Sequence, residues 1–398
     1  LIIRNKYTKA ITRTVWGLSI VSLFTDIASE MLYPVMPLYL RSIGFSVVLI
    51  GVLEGFAEAT AGMSKGYFGN LSDIRGKRLP FVQLGYFLSA LAKPMMAVFS
   101  WPLWVFSART FDRLGKGIRT GARDAMLSDE ATATTRGTVF GFHRAMDTLG
   151  AAIGPVLALI ILFFYPGSYR ALFYLAFFPG LLAVIFTFVV REKKIEVTYR
   201  SEKIHFFSFL KYIPGSSRNY RLLLAGLLIF ALFNSSDLFL LLMLKHNGFN
   251  DTSMIFAYIF YNLVYVLFAY PLGILADKFG LKKIFILGLV VFTITYFGMA
   301  FLHHRIILYG LFLLYGIYAA STEGVAKAWI SNISERKDTA TAIGTYEGLR
   351  SIMALLASSL AGFIWFYIRP EATFLLTAVA VVFIILFFMR IPYQHGMK

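Results

Sequence analysis

The sequence predicts an all-α membrane protein with twelve transmembrane helices in two pseudo-symmetric six-helix bundles. Three observations carry that prediction. The 398-residue chain is 58% hydrophobic and only 15% charged. Its mean hydropathy is +0.70, and its apolar stretches reach the roughly 20 residues that cross a hydrocarbon core. Basic residues gather in alternate loops, and landmarks of the first half recur in the second at one constant offset.

The apolar stretches place twelve spans at about 15–40, 47–69, 79–99, 102–126, 138–164, 170–190, 222–244, 253–275, 284–302, 306–330, 341–367 and 372–390. The first is too long for a secretory signal and has no small-residue cleavage site. Pro34 and Pro37 predict a kink in it, because each removes an intrahelical hydrogen bond.

A net charge of +17 invites a nucleic-acid partner, but the order of the charges argues otherwise. Arg4, Lys6, Lys9 and Arg13, the loop at 75–78, the segment 191–221 and the loop at 278–283 are all basic, whereas the loops between them carry one basic residue or none. That alternation is the signature of membrane topology. It puts both termini in the cytoplasm and leaves the lipid bilayer, not nucleic acid, as the partner. Cysteine is absent, which excludes disulfides and thiolate metal sites. No histidine cluster at ligand spacing and no Ser/His/Asp arrangement is found, so neither a metal site nor an enzyme is expected.

Residues 191–221 form the one long polar stretch, with Pro214-Gly215 inside it. They are read as an interfacial or flexible linker between a bundle at 1–190 and a bundle at 222–398. The two bundles look related. Gly44-Phe45 recurs at Gly248-Phe249, Gly69 at Gly273, Asp73 at Asp277 and Gly76 at Gly280, each 204 positions later. With one residue of drift, Gly141, Arg144 and Asp147 map onto Gly344, Glu347 and Arg350. Several landmarks at one offset indicate an internal repeat, a recurring build for secondary transporters.

Residues 109–124 hold the densest chemistry. On a helical wheel Arg109, Asp112, Arg113, Lys116, Arg119 and Arg123 share an arc of about 120°. In a bilayer such a stripe faces protein or a water-filled route, not lipid. Gly115-Lys116-Gly117 is not a phosphate-binding loop, since Thr110 takes the first glycine position and no Ser or Thr follows Lys116. Acidic counterparts lie in spans 1 and 2. Asp26/Glu30 and Glu54/Glu58 are each spaced i,i+4, so each pair shares one helix face. Counting rise along the helices brings Asp26 and Arg109 to similar depth. Arg144/Asp147 and Glu347/Arg350 have mirrored charge order and can pair across the halves or within each helix. Asp124, Glu323 and Lys327 are placed in the same layer. Asn234, Asp237 and Asn262 are polar groups at membrane depth and second-half candidates for solute contact.

The loop from Gly69 through Asp73, Arg75, Gly76 and Lys77 to Arg78 resembles the signature loop between spans 2 and 3 of the major facilitator superfamily. The run with Gly273, Asp277, Lys278 and Gly280 resembles its second-half counterpart. Ile74 and Leu281 stand where a basic residue is usual. Arg109 and Gly115 match the superfamily's span-4 motif, although Asp112 and Arg113 replace its Gln-Gly pair. The D-R-x-G-K-G-x-R run from Asp112 to Arg119 resembles a bacterial branch of the superfamily. Gly141, Gly150 and Gly154-Pro155 resemble the antiporter motif of span 5, with Ala158-Leu159 in place of its trailing glycines.

The resemblance implies alternating access by a monomeric secondary transporter in the bacterial inner membrane. It implies that Asp73 faces the start of span 11 near Thr339 and Thr341, and that Asp26, with Glu30, Glu54 and Glu58, couples transport to protons. Arg109, Asp112 and Arg113 join Asn234, Asp237 and Asn262 as solute-binding candidates. Gating falls to the two signature loops with Arg119, Arg144, Asp147, Glu347 and Arg350. The expected solute is a small anionic or polar organic molecule, with efflux slightly favoured over uptake. The energy source is a proton gradient and no cofactor is expected. The alternatives are a uniporter or channel-like facilitator of the same fold, and a membrane-embedded receptor or enzyme.

Overall fold

The computed structural model describes residues 2–33, 35–193 and 205–391. Among them the regular structure is helical throughout. An amino-terminal helix α1 (Ile2–Ala10) precedes α2 (Arg13–Glu30) and α3 (Met36–Ser42), which together occupy the first predicted span. The chain continues through α4 (Val47–Arg75), α5 (Leu79–Val98), α6 (Pro102–Glu130), α7 (Arg136–Phe164) and α8 (Tyr169–Thr187). After a 3-10 turn at Ser208–Lys211 and the short α9 (Tyr212–Gly215) come α10 (Arg218–Phe233) and α11 (Leu238–His246). The last five are α12 (Asp251–Phe279), α13 (Leu281–Phe301), α14 (Arg305–Ile333), α15 (Thr339–Tyr367) and α16 (Pro370–Arg390). Residues 194–204 of the predicted linker lie outside the described residues.

Every predicted span has its helix, and several helices run past the predicted ends, as α4 does to Arg75 and α12 to Phe279. Hydropathy marks where the hydrocarbon ends, whereas the hydrogen-bond ladder continues into the surface layer. Nine of the described helices are long and apolar enough to cross a membrane. α4 and α6, which miss that criterion, carry Glu54, Glu58, Lys65 and the charged stripe, and the first span is broken between Glu30 and Met36. The break agrees with the kink expected from the prolines. α3 has a proline in its first turn, and Pro34 lies outside the described residues. The seventh span is also broken, between Phe233 and Leu238. No proline announces that second break. Asn234, Ser235, Ser236 and Asp237 occupy it instead, residue types whose short polar side chains compete with the helical ladder.

The positive-φ glycines include Gly44 and Gly248, and Gly76 and Gly280. These are the repeat landmarks, and each needs a backbone conformation that a Cβ disfavours. Gly76, at φ +62°, terminates α4 and donates its amide to the carbonyl of Asp73.

The chain forms two compact units. The first comprises Leu1–Glu130, Met146–Ile213 and Glu335–Gly348; the second comprises Ala131–Ala145, Pro214–Ser334 and Leu349–Lys398. Within the first, α5 and α4 pack on α6, and α2 and α5 pack on α8. Within the second, α13 and α12 pack on α14, and α13 packs on α16. Small residues make the contacts: a Cβ on Gly117 would run into the Ser64 side chain, and one on Gly85 would lie 2.6 Å from the Gly115 carbonyl. Large apolar side chains point outward, with Phe163 and Phe366 each 81% exposed, as a lipid-facing surface requires. In the described part of the linker, Phe209 is buried and its ring fills the space over Gly66 of α4.

Candidate functional site

The glycine face of α6 draws it close to α4 and α5, and four of the six stripe residues on the same helix are buried, whereas Arg113 is half-buried and Lys116 is exposed. Arg109, Asp112, Arg119 and Arg123 are all less than a tenth exposed. Arg109 makes a two-pronged pair with Glu54, Nε to Oε1 at 2.9 Å and Nη2 to Oε2 at 2.8 Å. Its third nitrogen reaches Asp112 Oδ2 at 3.3 Å. Lys93 of α5 donates to the other Asp112 oxygen at 2.7 Å and to Ser29 Oγ at 3.2 Å. One turn along, Arg113 pairs with Glu58 at 3.2 Å. Glu54 and Glu58 lie one turn apart on α4, as Arg109 and Arg113 do on α6, so the two pairs form parallel rungs. The Glu54 side chain is 32% exposed and that of Arg109 is 7% exposed.

Asp112 therefore stands between two cations, well placed as their counterion. Arg109 meets Glu54 and Asp112, not Asp26. Matching depth was not enough to bring Asp26 and Arg109 together, because α4 lies alongside α6 and supplies the nearer carboxylates. Asp26 lies close enough to Asp147 for the two carboxyls to interact, and Ser22 donates to Asp147 Oδ1 at 2.5 Å. Arg123 bridges Ser22 at 3.2 Å and Asp124 at 2.9 Å. Glu30, the last residue of α2, feels the charges of Lys116 and Arg113. Arg119 donates to Ser89 at 2.6 Å and lies 4.5 Å from the centre of the Tyr86 ring, a cation–π contact.

The first signature loop is built around Asp73 and Arg78. Asp73 Oδ2 accepts from the Thr341 amide at 2.7 Å and its hydroxyl at 2.9 Å. Those groups lie in the first turn of α15, where amides have no partner within the helix. Arg78, 1% exposed, joins Asp73 at 2.9 Å, Asp129, and the Arg336 carbonyl at 2.9 Å. Burial disfavours its charge, but the carboxylates of Asp73 and Asp129 outweigh burial and its pKa is raised. Arg75 and Lys77 are exposed, with Arg75 5.9 Å from the Phe81 ring centre.

The second unit repeats the device. Asp277 accepts from the Gly137 amide at 2.8 Å, the Thr138 amide at 2.7 Å and the Thr138 hydroxyl at 2.6 Å, in the first turn of α7. Lys278 is exposed beside Phe279, and Gly280 ends α12. Glu323 collects Arg144, Arg350 at 3.6 Å and the Tyr265 hydroxyl at 2.9 Å. Glu347 pairs with Lys65 at 3.2 Å in the first unit. In the broken seventh span, Asp237 accepts from Tyr261 at 2.7 Å and Tyr315 at 2.5 Å, and Asn234 donates to Tyr318 at 2.9 Å. Asn262 is buried and donates to the Tyr258 carbonyl of its own helix at 2.9 Å.

The sequence profile of the Major Facilitator Superfamily matches residues 18–261 and, again, 222–396. The chain belongs to the Major Facilitator Superfamily. Among its relatives is an uncharacterized MFS-type transporter of Methanocaldococcus jannaschii, 33% identical over 377 residues and covering 93% of each chain. A Lactococcus lactis multi-drug resistance efflux pump PmrA homolog is 21% identical over 348 residues, covering 85% of this chain and 84% of that one. The solved structure of the human organic anion transporter MFSD10 superposes with a TM-score of 0.82 at 16% identity, over 94% of this chain and 99% of that one. The E. coli fucose:proton symporter FucP superposes with a TM-score of 0.77 at 12% identity, over 96% and 98%. The protein is a multi-pass membrane transporter of small molecules, not an enzyme.

Four residues central to these networks were not singled out by the sequence. Lys93 is the clearest, a lone cation inside the apolar stretch 79–99, which intramembrane charge alone marks as functional or paired. Lys65, the one cation of the predicted span 47–69, carries the same signal, whereas Ser22 carries none and Tyr265 is hidden among the aromatics of an apolar span.

Proposed function

We propose that this superfamily member is a proton-coupled secondary transporter that exports a small polar organic solute across a bacterial inner membrane by alternating access. The observation that carries the reading is the Glu54–Arg109 pair, in which a partly exposed carboxylate sits on a buried guanidinium. An incoming anionic group engages Arg109 by displacing Glu54. In this reading the freed carboxylate carries the coupled proton. Solute binding and protonation are linked through one exchangeable contact. Every arginine of this rung pair already has a carboxylate, so an anion enters by exchange and not by filling a vacancy. Asp26, beside Asp147, is the second proton carrier in this reading.

The Asp73 and Asp277 contacts are the gating elements in this reading, each made to a helix N-terminus and able to break and reform. The name of the Lactococcus relative, an efflux pump, supports export, as do the spaced glycines of span 5. The test uses vesicles holding the purified protein and a pH-sensitive dye. Adding a transported solute moves protons in the wild type, and Asp26→Asn abolishes the signal. A solute flux unaffected by the proton gradient instead supports a uniporter.

A further inference from the structure

We propose that Asp237 anchors a positively charged nitrogen, so that the solute handled by the second unit carries an ammonium or related organic cation. The inference rests on the transport reading and adds the chemistry of one group of the solute.

The contrast with α6 motivates it. There each of Arg109, Arg113 and Lys93 has a resident carboxylate. Asp237 has no lysine, arginine or histidine within ion-pair distance among the described residues. Its partners are two phenols, Tyr261 on Oδ2 at 2.7 Å and Tyr315 on Oδ1 at 2.5 Å. One donor per oxygen orients the carboxylate and leaves lone pairs on both oxygens for a further partner. A carboxylate at membrane depth without a cation is costly, and the cost is recovered when a cation arrives.

The surroundings suit an organic cation. Tyr261 lies 5.4 Å from both Tyr258 and Tyr315, and Tyr315 lies 5.3 Å from Tyr318, measured between ring centres. These rings pack edge to face or tilted against one another, with Tyr261, Tyr315 and Tyr318 buried, and they surround the carboxylate with electron-rich aromatic groups. The helix is unwound here, from Asn234 to Asp237, the arrangement by which transporters expose polar groups to a ligand. An independent observation marks a missing partner. Asn234 spends its amide nitrogen on Tyr318, while its buried Oδ1 has no hydrogen-bond donor. An acceptor left open beside an unneutralised carboxylate asks for a donor that is also a cation. An ammonium with N–H groups meets both demands, and Asp237 and Asn234 each keep part of their surface open.

Calorimetry on the detergent-solubilised full chain tests this with three probes of one shape: phenethylammonium, phenethyl alcohol and phenylacetate. The cation is expected to bind at least tenfold more tightly than either other probe, and Asp237→Asn to lose that preference. Asp237→Asn is expected to stay folded, because the amide keeps the size and shape of the side chain and can still accept from one tyrosine. Should it not accumulate, carbodiimide labelling of the wild type gives the second reading, with the cation protecting Asp237 from modification as read by mass spectrometry. Equal affinity for the three probes, an undiminished cation preference in Asp237→Asn, or labelling of Asp237 unchanged by the cation overturns the proposal. Proton-driven flux in wild-type vesicles is scored separately. Flux without cation selectivity removes this inference and leaves the transport reading, whereas cation binding without flux does the reverse.

Discussion

Asp73 holds the amide and hydroxyl of Thr341 at 2.7 and 2.9 Å, although 268 residues separate them along the chain. Asp277 does the same to Thr138, at 2.7 and 2.6 Å. A first-half aspartate thus caps a second-half helix, and a second-half aspartate caps a first-half helix. The internal repeat is therefore carried into side-chain chemistry as well as backbone shape. The carboxylate satisfies amides that the helix leaves open and faces the positive end of its dipole.

The first prediction removes one of these contacts. Asp73→Ala strands the Thr341 amide and deprives buried Arg78 of one of its two carboxylates. Unsatisfied buried groups of this kind cost about 1–3 kcal/mol each. The chain has no cysteine, so a single cysteine introduced at Ser72 or Thr345 reports on local opening without background. Asp73→Ala is expected to raise maleimide labelling at those positions and Asp73→Asn to raise it less. Unchanged labelling removes Asp73 from gating.

The second prediction concerns helix approach. A Cβ at Gly69 would lie 2.5 Å from the Ala340 carbonyl oxygen, and one at Gly273 would press still closer on that of Gly137. Backbone cannot give way as a side chain can, so Gly69→Ala and Gly273→Ala are each expected to cost about 1–3 kcal/mol. Gly310→Ala, with nothing within 4 Å, is the control and is expected to be neutral or slightly stabilising. Thermal unfolding midpoints in detergent separate the three.

Much of this was legible beforehand, and the reason is physical. Spans follow from hydrocarbon thickness, and Gly76 and Gly280 announce turns because few other residues adopt their backbone angles. The meeting of Asp73 with Thr341 was implied by the resemblance of the loop to the superfamily's signature, and the capping-type threonines only marked where that helix starts. What was hidden depends on which helix lies beside which. Arg109 takes Glu54 rather than Asp26 for that reason, and Glu323 becomes the meeting point of Arg144 and Arg350. The break at Asn234–Asp237 was missed because its residues disrupt a helix by hydrogen-bonding and leave no proline in the sequence.

The third prediction is a double-mutant cycle on Lys93 and Asp112. Lys93→Met leaves Asp112 with Arg109 alone, and Asp112→Leu leaves Lys93 buried beside Arg109. Breaking a buried pair from one side costs roughly 3–5 kcal/mol. Replacing both residues with apolar ones removes the stranded charge, so the double variant is expected to be less destabilised than the sum of the singles. Strict additivity in thermal or denaturant unfolding shows that the 2.7 Å contact contributes nothing.

The fourth prediction addresses the exchange at Arg109. Glu54→Gln keeps the size of the side chain and removes its charge, so Arg109 retains Asp112 but loses its competitor for an incoming anion. Anion affinity is expected to rise about tenfold or more, since charged hydrogen bonds contribute roughly 1.5–3 kcal/mol. Proton-driven flux is expected to fall, because the group that takes the proton is gone. Arg109→Lys gives the complementary result. A lysine cannot grip Glu54 with two parallel bonds, so both anion binding and flux should drop. A Glu54→Gln variant with wild-type affinity and wild-type flux shows that the pair only holds α4 against α6.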